Sequence, residues 1–170
     1  CFSLLAQRIQ TDRPSAQTDN SSTLYKEAFQ IEYGITFQFE NNNLENIAIP
    51  NNAAIIQAVM DGRLPGDSTT GTPNFNPGSQ GEKDIVADFL RYHILATRTA
   101  SDDGLINGLT ETLLRDGLGE KTYVEVSSAP GDLFFTDAAD RIATYIPAQS
   151  NNLADRSLIH LVDNYLLYTE

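Results

Sequence analysis

The chain has one cysteine, one methionine, two histidines and no tryptophan in 170 residues. A lone Cys1 excludes an internal disulfide and any zinc site built on paired thiolates. His93 and His160 lie far apart, and no H-E-x-x-H spacing exists, so no metal or cofactor is expected. Cations are scarce as well. Lys and Arg number 11 against 23 Asp and Glu, a formal net charge of −12. Such a surface repels nucleic acid and anionic lipid, because phosphate binding needs clustered Lys and Arg to displace counterions. No apolar run approaches the ~20 residues that span a bilayer as a helix.

What is present is enough for a core. Hydrophobic residues make up 41% of the chain, and 170 residues suit one domain over 1–170. Cys1 admits two readings: a lipidated start of a bacterial lipoprotein, or the boundary of a segment of a longer chain. Phe2, Leu5 and Ile9 share one helical face, which is a poor tether and favours the second reading.

Along the chain, "STLYKEAFQIEYG" places Leu24, Ala28 and Ile31 at helical spacing. Alternation in "ITFQFE" turns Ile35, Phe37 and Phe39 inward on a strand. "LENIAI" is a second strand, stopped at Pro50. "PNNAAIIQAVMDGRLP" is the clearest helix: an Asn caps it, Ile55, Ile56, Val59 and Met60 form its stripe, and Gly62 ends it. Residues 65–81 read as a long loop dense in Gly, Pro and Asn, a length uncommon without a function. "EKDIVADFLRYHIL" resumes the helix, with Ile85, Phe89 and His93 on one side.

The period then changes to two. "TETLLRDGLGEKTYVEVSS" is a hairpin around Asp116 to Gly119, and "APGD" and "DAAD" are turns into further strands. The closing run "RSLIHLVDNYLLY" is a strand carrying His160 and Asp163. The expected class is α+β, with helices first and an antiparallel sheet after them.

Chemistry is hard to assemble from these residues. In a strand, Ser157 and Asp163 face one way and His160 the other, so they form no triad. A G-x-S-x-G elbow is absent. "SDDGLINGLTE" lacks the alternating oxygen ligands of a calcium loop. His160 and Asp163 are therefore read as structural polar groups, tolerated inside because they find hydrogen-bond partners. Tyr92 and His93, at a helix end, serve either packing and capping or a binding contact. Phe75 between Asn74 and Asn76 offers an aromatic ring flanked by amides, the elements of a sugar site; a solvated loop with the ring tucked inward is the alternative.

An opening pattern and three boxes in order give the chain a family likeness. "CFSLL" at Phe2 to Leu5 matches an F-S-x-L opening. "ENIAIPNNAAI" matches a strand-Pro-helix box, with Asn51 where Thr is usual. "LRYHIL" and "RSLIHLVDNYLL" match an L-x-Y-H-V-L motif and a closing I-H-V-I-D box, with Arg156-Ser157 in place of the usual Asn-Gly. The chain resembles a fasciclin domain over essentially its whole length. That resemblance implies a β-sandwich or wedge of antiparallel strands with N-terminal helices packed against it. It implies a non-enzymatic adhesion module at a cell surface or outside the cell, engaging a surface protein or polysaccharide. Receptor contacts in some members fall on the Tyr-His pair, here Tyr92 and His93. A glycan-binding accessory of a bacterial polysaccharide-uptake system is the alternative. Membrane attachment, in either case, would come through an upstream or N-terminal lipid.

Overall fold

A computed structural model describes residues 45–97, 104, 106–154 and 157–169. The expected helices and strand before residue 45, and the "CFSLL" opening, lie outside the described residues.

Strand β1 (Glu45–Pro50) is followed at once by helix α1 (Asn52–Met60). Asn51 makes that switch sharp. Its side-chain Oδ1 accepts the Ala54 amide at 2.9 Å, satisfying one of the unpaired N–H groups of the first turn. Gly62 ends the helix at φ +68°, a conformation that costs a residue without a β-carbon little. Ala54, Ile55, Ala58 and Val59 are the buried face. Ile56 and Met60, expected in the same stripe, are exposed.

The segment 65–81 is not wholly irregular. Gly66–Asp67 (β2) and Thr72–Pro73 (β3) pair as a two-residue antiparallel ladder. Helix α2 begins earlier than expected, spanning Gln80–Tyr92. Ser79 starts it through a reciprocal capping box with Glu82, a pattern the sequence shows as Ser-x-x-Glu. Its buried residues are Ala87, Phe89, Leu90 and Tyr92, all in the last two turns. Ile85 lies one turn before these and is exposed, contrary to expectation. The helix also stops sooner. His93 caps it, and Ile94–Leu95 form a short strand, β4, paired with β1.

Strands β5 (Gly108–Arg115), β6 (Lys121–Ala129), β7 (Asp132–Thr136) and β8 (Ile142–Thr144) form a meander. In the first turn Asp116 Oδ1 accepts the amides of Leu118 and Glu120. The β5–β6 register shifts between Glu111 and Arg115. There the buried Thr112 and Thr122 hydroxyls bond each other at 2.5 Å, and Thr122 donates to the Leu114 carbonyl. A 3-10 turn (Pro147–Gln149), β9 (Asn152–Ala154) and β10 (Ser157–Val162) complete the sheet.

The eight strands run in the order β8-β7-β6-β5-β4-β1-β10-β9. The sheet is not purely antiparallel, because β10 lies parallel to β1 from Glu45–Ser157 to Pro50–Val162. The closing strand returns to lie between β1 and the edge strand β9, a non-local pairing that alternation within one segment does not reveal. Tyr145, just past β8, bridges Val162 in β10, so the sheet curls until its two ends touch. Inside the curl Leu95, Val124, Val126, Leu133, Phe135 and Val162 form the main core. A second cluster of Ile55, Ala58, Phe89 and Tyr165 joins both helices to the tail after β10.

Candidate functional site

The residues singled out by sequence divide between three places. Tyr92, His93 and Asp163 lie around the tail, residues 163–169, which crosses one end of the curled sheet. His160 sits inside the sheet, and Asn74, Phe75 and Asn76 stand on the loop before α2.

His93 is buried, and both of its ring nitrogens are used. Nδ1 bonds the Phe89 carbonyl at 2.7 Å, and Nε2 accepts the Leu166 amide at 2.9 Å. These partners fix the neutral tautomer with hydrogen on Nδ1, since a carbonyl only accepts and an amide only donates. Burial pushes its pKa down to about 4, with the Phe89 carbonyl opposing and Arg141 adding to the fall. Tyr92, beside it, donates its hydroxyl to the Tyr123 carbonyl and accepts the Ala138 amide, each at 3.1 Å. Its pKa is pushed up to about 12, chiefly by burial. Neither ring is presented to solvent.

Two residues that sequence reasoning passed over hold the same tail. Asp137 closes the turn before β8: Oδ1 accepts the Ala139 and Arg141 amides at 2.9 Å, and Oδ2 accepts Leu167 at 2.7 Å. Arg141 lies 3.5 Å from that carboxylate and stacks over the Tyr165 ring at 3.8 Å. It also donates to the Tyr165 carbonyl and to Asn164 Oδ1. Tyr165 donates its hydroxyl to Asp61 at 2.6 Å, a bond that lowers the Asp61 pKa. The signal was an Asp at the head of a turn, which the sequence does show. That one carboxylate also reaches the tail is a long-range fact.

His160 is fully buried, and its Nδ1 accepts the Asn151 amide at 3.4 Å. Asn151 takes φ +58°, which Asn tolerates well. Ser150 is bonded to both the amide and the carbonyl of Leu161. The "SNN" segment is thus fastened to β10. Asp163 departs from expectation in its place and its exposure. It falls just beyond β10, is exposed, and accepts one backbone amide, from Thr144 at 2.7 Å. Its own amide donates back to the Thr144 carbonyl.

Phe75 keeps 47% of its surface exposed, so the ring is not tucked inward. Asn74 Oδ1 accepts the Asn76 amide at 3.0 Å, and both amides face solvent. Among the described residues no cluster of three His, Cys, Asp or Glu is placed to hold a metal. Among the same residues, no helix is long and apolar enough to cross a membrane.

No protein-family model matches the chain, and no curated protein matches it. Among solved structures it is similar to a FAS1 domain pair from fasciclin I, an insect cell adhesion molecule. The match has 16% identity and a TM-score of 0.49, and covers 86% of this chain. The chain spans 45% of that domain pair's length.

Proposed function

We propose that this chain is a fasciclin-like interaction module, a wedge that works outside the cell or at its surface by presenting a shape. The observation that supports this is how the sequence boxes meet. The strand of the Pro50 box lies parallel to the strand of the closing box, residue against residue. The Tyr92-His93 box joins both: Ala48 donates to the His93 carbonyl at 3.0 Å, and Leu166 donates to the His93 ring. Boxes scattered through the sequence are one structural unit. Their polar side chains hold backbone groups in place and are poorly placed to act on a substrate. A surface protein or extracellular protein is the partner proposed.

Beads coated with the full chain test this reading. They are expected to adhere to cell surfaces or to immobilised surface proteins, with no protein-dependent turnover of ester, phosphoester or glycoside substrates. Turnover without adhesion reverses the reading. A second reading, glycan binding in a bacterial polysaccharide-uptake system, draws on the exposed Phe75 between Asn74 and Asn76. Aromatic rings stack on sugar faces while amides meet hydroxyls, and a glycan array with wild type and Phe75→Ala separates the two. Signals abolished by the substitution favour the glycan; unchanged signals, or none, remove it.

A further inference from the structure

The outer face of β5–β8 is unlike an ordinary solvated sheet face. Strand β6 alternates strictly between buried and exposed residues, so Lys121, Tyr123, Glu125 and Ser127 point outward. Across the strands, Leu109, Glu125, Thr136 and Ile142 form one row. The next row is Ser127, Phe134 and Thr144, with Asp163 bonded beside Thr144. Leu109 is 75% exposed, Ile142 56%, Tyr123 43% and Phe134 36%. Adjacent strands lie about 5 Å apart, so these side chains all stand within two strand spacings of Glu125.

The charges on this face are of two kinds. Glu111 is matched twice, by Arg115 at 2.8 Å and Lys121 at 2.7 Å. Glu125, two positions further along, has no cation among the described residues. Glu125 has Leu109 on one side and Thr136 on the other, with Tyr123, Phe134 and Ile142 further out on the same face. A carboxylate among such apolar side chains is costly to cover with anything but a cation carrying its own apolar flanks. Exposed apolar patches with a polar rim mark interaction sites, and the net charge of −12 favours the approach of a basic partner.

We infer that this face docks a basic, apolar-flanked segment of a partner protein, its Lys or Arg on Glu125 and its apolar residues on Leu109, Tyr123, Phe134 and Ile142. The inference rests on the interaction-module reading and names the class of partner. Its failure would leave adhesion through another face intact, whereas turnover without adhesion sinks the module itself.

The test uses the full chain, isotope-labelled, at 0.15 M salt. The probes are a synthetic peptide of alternating arginine and leucine and its glutamate counterpart. The arginine peptide is expected to shift the amides of β5–β8 and the glutamate peptide to leave them alone. Glu125→Gln should weaken binding about fivefold, and Phe134→Ser at least as much. Glu120→Gln, which removes the same charge at the hairpin tip, should leave affinity unchanged. Equal losses for Glu125→Gln and Glu120→Gln would mean general charge attraction and overturn the proposal. So would shifts confined to another face. Absence of binding, with this face protected from exchange in the free chain, would assign its cover to residues 1–44. A dimer dissociated by Phe134→Ser would assign it to a second copy. Absence of binding without either would leave the face with no basic partner, and each of these results rejects the inference.

Discussion

The tail and the loop before α2 hold themselves in opposite ways. Around the tail, side chains reach across the sequence: His93 to Leu166 spans 73 residues and Asp61 to Tyr165 spans 104. In the loop every side-chain bond among the described residues is local. Asp67 accepts from Thr69 and Thr70, Asn74 from Asn76, and Ser79 exchanges with Glu82, none more than three residues away. Long-range bonds to buried backbone groups determine whether the chain closes. Local bonds only shape a segment that is already tethered at both ends. Substitutions should therefore act on stability at the tail and on recognition at the loop.

The strongest way to break that contrast is at Asp137. Its carboxylate is buried, accepts three backbone amides and lies against Arg141. Asp137→Ala leaves those amides and a guanidinium without their acceptor, and should cost about 3–5 kcal/mol. Urea unfolding measures it. A loss below ~1 kcal/mol would show that the tail is held by its apolar contacts alone.

A pH titration sharpens the same point. In the unfolded chain His93 takes its proton near 6.5, and in the fold only near 4. Between those values unfolding takes up a proton, so stability conferred by the neutral ring is complete above 6.5 and lost as pH falls toward 4. The loss is about 3 kcal/mol. His93→Gln should remove this part of the slope while lowering stability at neutral pH. A wild type whose urea midpoint is flat from pH 6.5 to 4 would mean that the buried ring relaxes to meet water.

How much of this was legible follows the same division. Pro50, the Asn51 cap, Gly62 and the turn at Asp116 are visible in sequence because each is decided within a few residues. The burial of His160 was readable from alternation, since Leu158, His160 and Val162 share the inward face. The parallel pairing of β1 with β10 was not, because nothing local distinguishes a parallel from an antiparallel neighbour. Ile85 was misplaced because a helical stripe gives the face and not the extent of the surface it meets. Asp137 and Arg141 read as a turn, which they make, and their grip on the tail depends on where the tail lies. For the candidate site, sequence singled out Phe75, His93 and His160 as candidates, whereas the place of Glu125 on the β6 face required strand register.

Asp163 occupies the middle ground. Sequence reasoning placed it in a core strand, where loss of its carboxylate would cost up to 3 kcal/mol. One exposed bond to Thr144 argues for less. Asp163→Ala should destabilise by about 1 kcal/mol, and Asp163→Asn, which keeps an acceptor, by less. A larger effect would mean that the reciprocal pair between residues 144 and 163 closes the sheet as firmly as the tail does.

The smallest expected effect lies in the loop, and it carries the comparison furthest. Phe75 is half exposed; beside it the Asn74 side chain accepts the Asn76 amide, and the Asn74 amide donates to the Pro65 carbonyl. Phe75→Ala removes little buried surface, so the urea midpoint should shift by less than about 0.5 kcal/mol. A stability loss of 2 kcal/mol or more would make Phe75 a core residue and take the loop out of consideration as a recognition surface. An unchanged midpoint with lost glycan signal would place recognition in the locally held half of the molecule. An unchanged midpoint with unchanged binding would leave the β5–β8 face as the surface for further tests.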